Sequence, residues 1–164
     1  MIKDVAIRLA RLDDADLVAA LVSELAAQQG DSIEHISAEK FRRDAFKPTP
    51  EFEVLIAERG SVVVGYALFH LSYEPSYAAR GVYLCDLYVR PQARRAGIGR
   101  ALAAAVAART KELDRTYVWW VAKDWNETAL AFYRSLGATS TPVVAHALTF
   151  EMFEALAREG IQQR

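Results

Sequence analysis

Apolar and polar residues follow two rhythms along this chain, and the points where one gives way to the other predict its elements. Val5-Ala6-Ile7-Arg8-Leu9 alternates loosely and predicts a first strand. Leu17, Leu21, Val22 and Leu25 then recur at helical spacing. Asp13 is the predicted cap of that helix, with Asp14 and Asp16 in the first turn, where carboxylates suit the positive helix end. Gly30-Asp31-Ser32 ends it. Ser37 predicts the cap of a second, short helix with Phe41 and Phe46 inward, stopped by Pro48 and Pro50. Phe52 to Glu58 and Val62 to Leu71 read as strands joined by Arg59-Gly60-Ser61, a hairpin signal. Residues 73–80 read as a loop, and Val82 to Val89 as a strand that Pro91 closes. An alanine-rich helical stretch covers Arg100 to Leu113, and Thr116 to Val121 is rich in strand formers. Asn126 predicts the cap of a helix carrying Leu130, Phe132, Tyr133 and Leu136, with Gly137 as its stop. A last strand, about Val143 to Leu148, precedes a terminal helix capped by Thr149. This order predicts a single α/β domain over residues 1–164 with a mixed sheet.

Composition narrows the function without naming it. A net charge of −1 argues against a general nucleic-acid binder, which carries a basic excess. One cysteine excludes an internal disulfide framework and a cysteine-rich zinc site, and His35, His70 and His146 lie too far apart in sequence for metal-ligand spacing, so no metal is expected. Met1-Ile2-Lys3-Asp4 lacks the apolar core of a signal peptide, and the most apolar run, Ala101 to Ala108, is too short to cross a membrane. A cytoplasmic protein with neither nucleic-acid nor membrane partner is the expectation.

The chemistry concentrates where the strand ending at Val89 runs into Arg94-Arg95-Ala96-Gly97-Ile98-Gly99 and then a helix. Glycines at a helix mouth let the backbone turn tightly, and the free N–H groups of the first turn suit a phosphate. No Gly-Lys-Ser/Thr follows, so this is not a Walker loop, and the three spaced glycines of a dinucleotide site are lacking. Arg90, Arg94, Arg95 and Arg100 surround the turn. They read either as a solvated basic face or as an anion site for a ligand with more than one phosphate.

Leu87-Tyr88-Val89-x-Pro91 leading to Arg94-x-x-Gly97-x-Gly99 resembles the acetyl-coenzyme A signature of the GNAT superfamily of N-acetyltransferases. Asn126-x-x-Ala129-x-x-Phe132-Tyr133-x-x-x-Gly137-Ala138 is similar to the second GNAT signature. Tyr83-Leu84-x-Asp86 and Asp124-Trp125-Asn126-Glu127 look closest to the diamine (spermidine/spermine-type) acetyltransferases. The resemblance covers nearly the whole chain. It implies a GNAT-like fold with a mostly antiparallel sheet of about six to seven strands flanked by helices, and a homodimer. It also implies acetyl-CoA as co-substrate and a small-molecule amine as acceptor. The main chain of Leu87, Tyr88 and Val89 would pair with the pantetheine arm. Arg94, with the amides of Arg95, Ala96, Gly97, Ile98, Gly99 and Arg100, would hold the diphosphate. Asn126, Glu127, Thr128 and Ala129 would meet the pantetheine from the other side, and Tyr133 would protonate the departing thiolate.

Elementary chemistry asks for the same kinds of group. An alkylammonium with a pKa of about 10.4 must lose a proton before it can attack. A phenol with a pKa of about 10 stays protonated at neutral pH and able to donate, although Tyr133 also reads as a core aromatic on an amphipathic helix. Asp86 interrupts an apolar strand and is either the base, a substrate-binding group or a structural acceptor; a water chain ending elsewhere is a further route for the proton. The diamine enzymes have a glutamate where this chain has Cys85, and a tyrosine-glutamate pair where it has Gln28 and Gln29. Strict alternation puts Cys85 and Asp86 on opposite faces, and a bulge would change which one faces the cleft. Cys85, Asp86, Gln28, Gln29, Trp120 and Asp124 are the candidate acceptor residues, with Trp119 and Trp125 as further pocket walls. Transfer of acetyl to a primary amine by direct attack is the leading expectation. A non-catalytic CoA-binding regulatory module and a protein lysine or N-terminal acetyltransferase are the alternatives.

Overall fold

The computed structural model describes residues 4–162; Met1–Lys3, on which part of the leader-peptide expectation falls, lie outside them. The chain divides into two compact units, one running to Trp125 and the other from Asn126 onward. The first holds strands β1 (Val5–Leu9), β2 (Glu53–Arg59), β3 (Val62–Glu74), β4 (Ala79–Val89) and β5 (Tyr117–Trp119), with helices α1 (Ala15–Gln29), α2 (Ala38–Ala45) and α3 (Ile98–Glu112). The second holds α4 (Glu127–Ser135) and α5 (Phe150–Gln162).

The sheet runs β1-β2-β3-β4-β5, antiparallel throughout except for the parallel β4–β5 pair. Alternation along the strands sends two sets of apolar side chains to opposite faces. Leu55, Ala67, Phe69, Val82 and Leu84 pack with Ile98, Leu102 and Val106 of α3. Val54, Ile56, Tyr66, Leu68 and Tyr88 pack with Val18 and Leu21 of α1. The sheet is therefore covered on both sides and each face has its own core.

Five strands form among the described residues, against the six to seven expected. Residues 143–148, read as a last strand, have no regular structure, and Val143, Val144 and Leu148 are exposed. An alternating apolar pattern becomes a strand only when an edge pairs with it, and no ladder reaches this segment among the described residues. The loop read over residues 73–80 shrinks to a short turn at Pro75–Tyr77, because β3 continues to Glu74 and β4 starts at Ala79. The Glu74 carboxylate accepts the Ser76 N–H at 2.9 Å and so closes that turn. Asp13 is not the cap of α1. A 3-10 turn over Leu12–Asp14 precedes the helix, and the Asp14 carboxylate instead takes the Arg11 N–H at 2.6 Å and the Arg8 guanidinium at 2.7 Å. Ser37 and Asn126 do cap their helices, accepting from the N–H of Lys40 and Ala129.

Gly65 sets the spacing between β3 and the end of β4. A Cβ there would lie 2.5 Å from the Tyr88 carbonyl oxygen and 3.2 Å from the Val89 Cα, both backbone atoms that cannot rotate away. Gly65→Ala is expected to destabilise the protein by about 1–3 kcal/mol, read as a lower midpoint in urea unfolding. An unchanged midpoint would mean that the two strands part without penalty.

Candidate active site

The ladder between β3 and β4 carries a bulge at the centre of the site. Leu68 pairs with Asp86 and the next residue, Phe69, pairs with Leu84, so Cys85 is the extra residue. Val82 and Leu84 point into the α3 core before the bulge, and Leu87 and Val89 do so after it. The bulge thus reverses the alternation and puts Asp86 on the α1 face, the face of Tyr66 and Tyr88. There Tyr66, with no exposed surface, donates its hydroxyl to Asp86 Oδ2 at 2.9 Å. Burial raises the Asp86 carboxyl above its ordinary range, and the hydrogen bond from Tyr66 partly opposes the rise. This is the arrangement of a carboxylate whose basicity has been increased while its ionised form keeps one fixed donor.

Cys85 is exposed, yet desolvation of its sulfur, with the Asp86 charge beside it, pushes the thiol up to about 11. At neutral pH it remains a thiol and offers no basic sulfur. Asp86 is therefore the better-equipped proton acceptor of this pair.

From Asp86 the α1 face continues toward solvent along a row of aromatic rings. Tyr83 stacks obliquely on His70 at 5.3 Å and on Trp119 at 4.7 Å. Trp119 is 43% exposed and donates its indole N–H to Ser72 Oγ at 3.1 Å. Neighbours on a strand point oppositely, and Trp120 turns the other way, packing against the α3 core. Of the adjacent tryptophans, both candidate pocket walls, Trp119 is on the open face and Trp120 packs with the core. His70 and Tyr66 went unrecognised in the sequence because both lie in a long strand-forming run where an aromatic residue is unremarkable.

The β4–β5 pairing covers only Gly81 to Tyr83 on β4. From Leu84 to Tyr88 the β5-side edge of β4 has no strand partner among the described residues, while its other edge is bonded to β3, and the Val89 carbonyl on the same edge accepts from Arg94. Immediately beyond lies the glycine turn. Arg95 and Gly97 both adopt left-handed backbone, at φ 64° and 79°, and α3 starts at Ile98. The amides of Ile98 and Gly99 lie in the first turn of that helix, ahead of the bond from the Ala101 N–H to the Gly97 carbonyl. Ile98 and Ala96 anchor the turn in the α3 core, which leaves the main chain as its outer surface.

Two of the four arginines, Arg90 and Arg94, are engaged with α1. Arg90 is bound by Glu24 of α1 through Nη2 at 2.6 Å and Nε at 3.0 Å, and donates to the Val63 carbonyl at 2.9 Å. This pair, with the Tyr88 hydroxyl on Glu24 at 3.2 Å, ties α1 to β4 and holds the Glu24 carboxyl below its usual range. Arg90 is thus a structural residue, and Glu24 is a partner that sequence spacing did not reveal. Arg94 folds back onto the Val89 carbonyl at 2.8 Å, Gln28 Oε1 at 2.6 Å and the Tyr88 ring. Gln28 therefore sits with an expected cofactor residue rather than on the aromatic row. The Gln29 carbonyl meets Lys123, whose ammonium also pairs with Asp31 at 3.1 Å; Asp124 is exposed. Arg95 and Arg100 are exposed beside the turn.

In the second unit, the Asn126 side chain accepts the Ala129 N–H at 3.1 Å and opens α4. Glu127 and Thr128 are exposed in its first turn. Tyr133 is half-buried, its ring 5.4 Å from that of Phe132.

Residues 18–138 match the Acetyltransferase (GNAT) family. A thialysine N-epsilon-acetyltransferase from Bos taurus is 35% identical over 144 residues, covering 82% of this chain and 84% of the relative. An L-ornithine N5-acetyltransferase from Arabidopsis thaliana is 39% identical over 77 residues, covering 47% of this chain and 34% of the relative. Among solved structures, an integron cassette protein from the mobile metagenome of V. cholerae superposes with a TM-score of 0.77 at 23% identity, covering 94% of this chain and 98% of its own, a likeness of fold. The chain belongs to the GNAT family of acetyltransferases and is an acyltransferase.

Proposed function

We propose that this enzyme transfers acetyl from acetyl-CoA to the side-chain amine of a small ω-amino acid of the thialysine or ornithine type. The observation that carries the reading is the unpaired β4 edge running into an amide-lined turn, with Asp86 on the α1 face beside it. An extended amide chain has donors and acceptors to match the free edge around Leu87, the Val89 carbonyl being held by Arg94, and a diphosphate suits the amides of Ile98 and Gly99. Gly97 is exposed and left-handed, so the turn offers its main chain to a ligand and the residues fit the cofactor. Acetyl-CoA supplies an activated thioester; the remaining work falls to the protein. Asp86 takes the proton from the acceptor ammonium, and the freed amine attacks the acetyl carbonyl. Tyr133 protonates the departing thiolate, a role supported by its place in the second signature.

The neutral Cys85 and Gln29, standing where the diamine enzymes carry glutamates, favour an acceptor with one cationic arm over a polycation. The thialysine and ornithine acetyltransferases among the relatives point the same way. Action as a cytoplasmic homodimer is supported by the resemblance alone.

The test is free-thiol release from acetyl-CoA with thialysine, lysine, ornithine, diamines and a lysine peptide as acceptors. Preferential turnover of the ω-amino acids supports the reading, and equal or better turnover of the peptide or of spermidine rejects it. Tyr133→Phe is expected to lower kcat by about tenfold with KM for acetyl-CoA within about twofold. The effect is modest because a thiol with a pKa of about 8.5 already leaves readily as thiolate. Equal losses in kcat and cofactor affinity would make Tyr133 a packing residue.

A further inference from the structure

We infer that Tyr66 is a positioning residue for the proton-accepting carboxylate, fixing Asp86 through Oδ2 and leaving Oδ1 as the oxygen that receives the acceptor's proton. The inference rests on the proposed role of Asp86 as base and adds a residue to it. Tyr66 lies in the middle of β3, fully buried in the α1-face core, so its ring cannot swing away. Its hydroxyl reaches Asp86 only because the Cys85 bulge brings that carboxylate to its face. Oδ1 has no hydrogen-bond partner among the described residues, and Asp86 is half-buried rather than sealed. An ammonium approaching along the open face therefore meets one free carboxylate oxygen held in a fixed orientation.

The phenol acts as a donor throughout and not as a relay. Burial, then the charge and hydrogen bond of Asp86, raise Tyr66 far above the ordinary phenol range, so it does not release its proton. In the transfer, the N–H bond of the acceptor ammonium breaks and the proton moves to Asp86 Oδ1. The nitrogen lone pair bonds to the acetyl carbon as the carbon–sulfur bond breaks and its electron pair leaves on sulfur. The second nitrogen proton, acidic once the nitrogen is acylated, is lost to water, and the thiolate is protonated as it departs. Asp86 then returns its proton to water.

The other groups around Asp86 leave Tyr66 as its specific partner. On β4 itself, Tyr83, Cys85 and Tyr88 are neutral at physiological pH. On β3, His70 stacks on Tyr83. Glu24 of α1 is engaged by Arg90 and Tyr88. A change in how Asp86 titrates on loss of the Tyr66 hydroxyl is thus attributable to that bond.

The experiment compares kcat/KM against pH for the wild type, Tyr66→Phe and Asp86→Asn with the best acceptor. A phenylalanine keeps the ring and its packing but removes the donor to the ionised carboxylate. The acid limb of Tyr66→Phe is expected to move to higher pH, giving about a tenfold loss on that limb and near wild-type rates on the plateau. A limb coincident with the wild type, in a protein that Asp86→Asn still disables, overturns the positioning role alone. An undiminished Asp86→Asn enzyme overturns the base itself. Should Tyr66→Phe fail to fold, the unaltered protein serves: the Tyr66 hydroxyl proton is followed by NMR across pH. A resonance titrating with the midpoint of the acid limb supports the inference, and one that does not respond overturns it.

Discussion

Asp86→Asn is expected to lower kcat/KM by about 10²–10⁴-fold while making the protein more resistant to heat at neutral pH. The first effect is the loss of a positioned base: an amide cannot take a proton from an alkylammonium, and general-base catalysis typically contributes that much. The second follows from the sign of the carboxyl's shift. Burial raises Asp86 in the folded protein, so the fold favours its protonated form. Such a group contributes stability that is fully present below its unfolded pKa and is lost as pH rises through its folded value. At neutral pH the native state therefore carries a charge it would hold more easily when unfolded. Asparagine has nearly the same shape, keeps an oxygen to accept from Tyr66 and carries no charge. The Tm of the variant should exceed that of the wild type at neutral pH, with the difference fading as the pH falls below the carboxylate range. Thermal unfolding over a pH series, with initial rates on the same preparations, checks both effects. Activity within threefold of the wild type would remove Asp86 from the chemistry. A lower Tm at all pH values would make it a structural acceptor.

A gain in stability bought by the loss of a catalytic charge is what a functional residue in a poorly solvated place should show. It also explains why Asp86 looked out of place in the sequence. An ionisable residue in the run Val82-Tyr83-Leu84-Cys85-Asp86-Leu87-Tyr88-Val89 breaks the local rule, and that break was legible. Its side of the sheet was not, because the bulge depends on pairing with β3. The sequence of β4 alone permits either register, and only the partners Leu68 and Phe69 determine that Cys85 is extra.

The same division between local and non-local causes runs through the fold. The Ser37 and Asn126 caps and the hairpin at Arg59-Gly60-Ser61 were readable because each depends on a few adjacent residues. The left-handed turn at Gly97 was readable for the same reason. The partners of the arginines were not. Arg90 bonds Glu24, 66 positions away, and Arg94 bonds Gln28 at the same separation, so a basic cluster in the sequence became two ties to α1. Residues 143–148 mislead in the opposite direction: their local pattern suits a strand, but the sheet ends at β5 among the described residues. Adjacent Trp119 and Trp120 show how much a single residue of register matters, since one belongs to the aromatic row and the other to the core.

Gly97→Val is expected to weaken acetyl-CoA binding by about 100-fold or more while leaving the fold intact. Gly97 caps α3 at φ 79°, a conformation that costs an ordinary L-residue about 1–2 kcal/mol and is worse for a β-branched one. Valine relieves that strain by returning to negative φ, which redirects the peptide groups on either side. The amides of Ile98 and Gly99 are then aimed elsewhere. Hydrogen bonds from backbone N–H groups to an anion are each worth about 1.5–3 kcal/mol, so misdirecting two of them accounts for the loss. Folding should survive because Gly97 is exposed, whereas the side chains that anchor the turn, Ala96 and Ile98, are unchanged. Calorimetric titration with CoA measures the affinity, and dephospho-CoA, which keeps the diphosphate but lacks the 3′-phosphate, gives the control. Both ligands should lose affinity by the same factor if the damage is at the diphosphate. A loss confined to CoA would instead assign Gly97 to the 3′-phosphate, and unchanged binding of both would show that the helix mouth does not hold the cofactor.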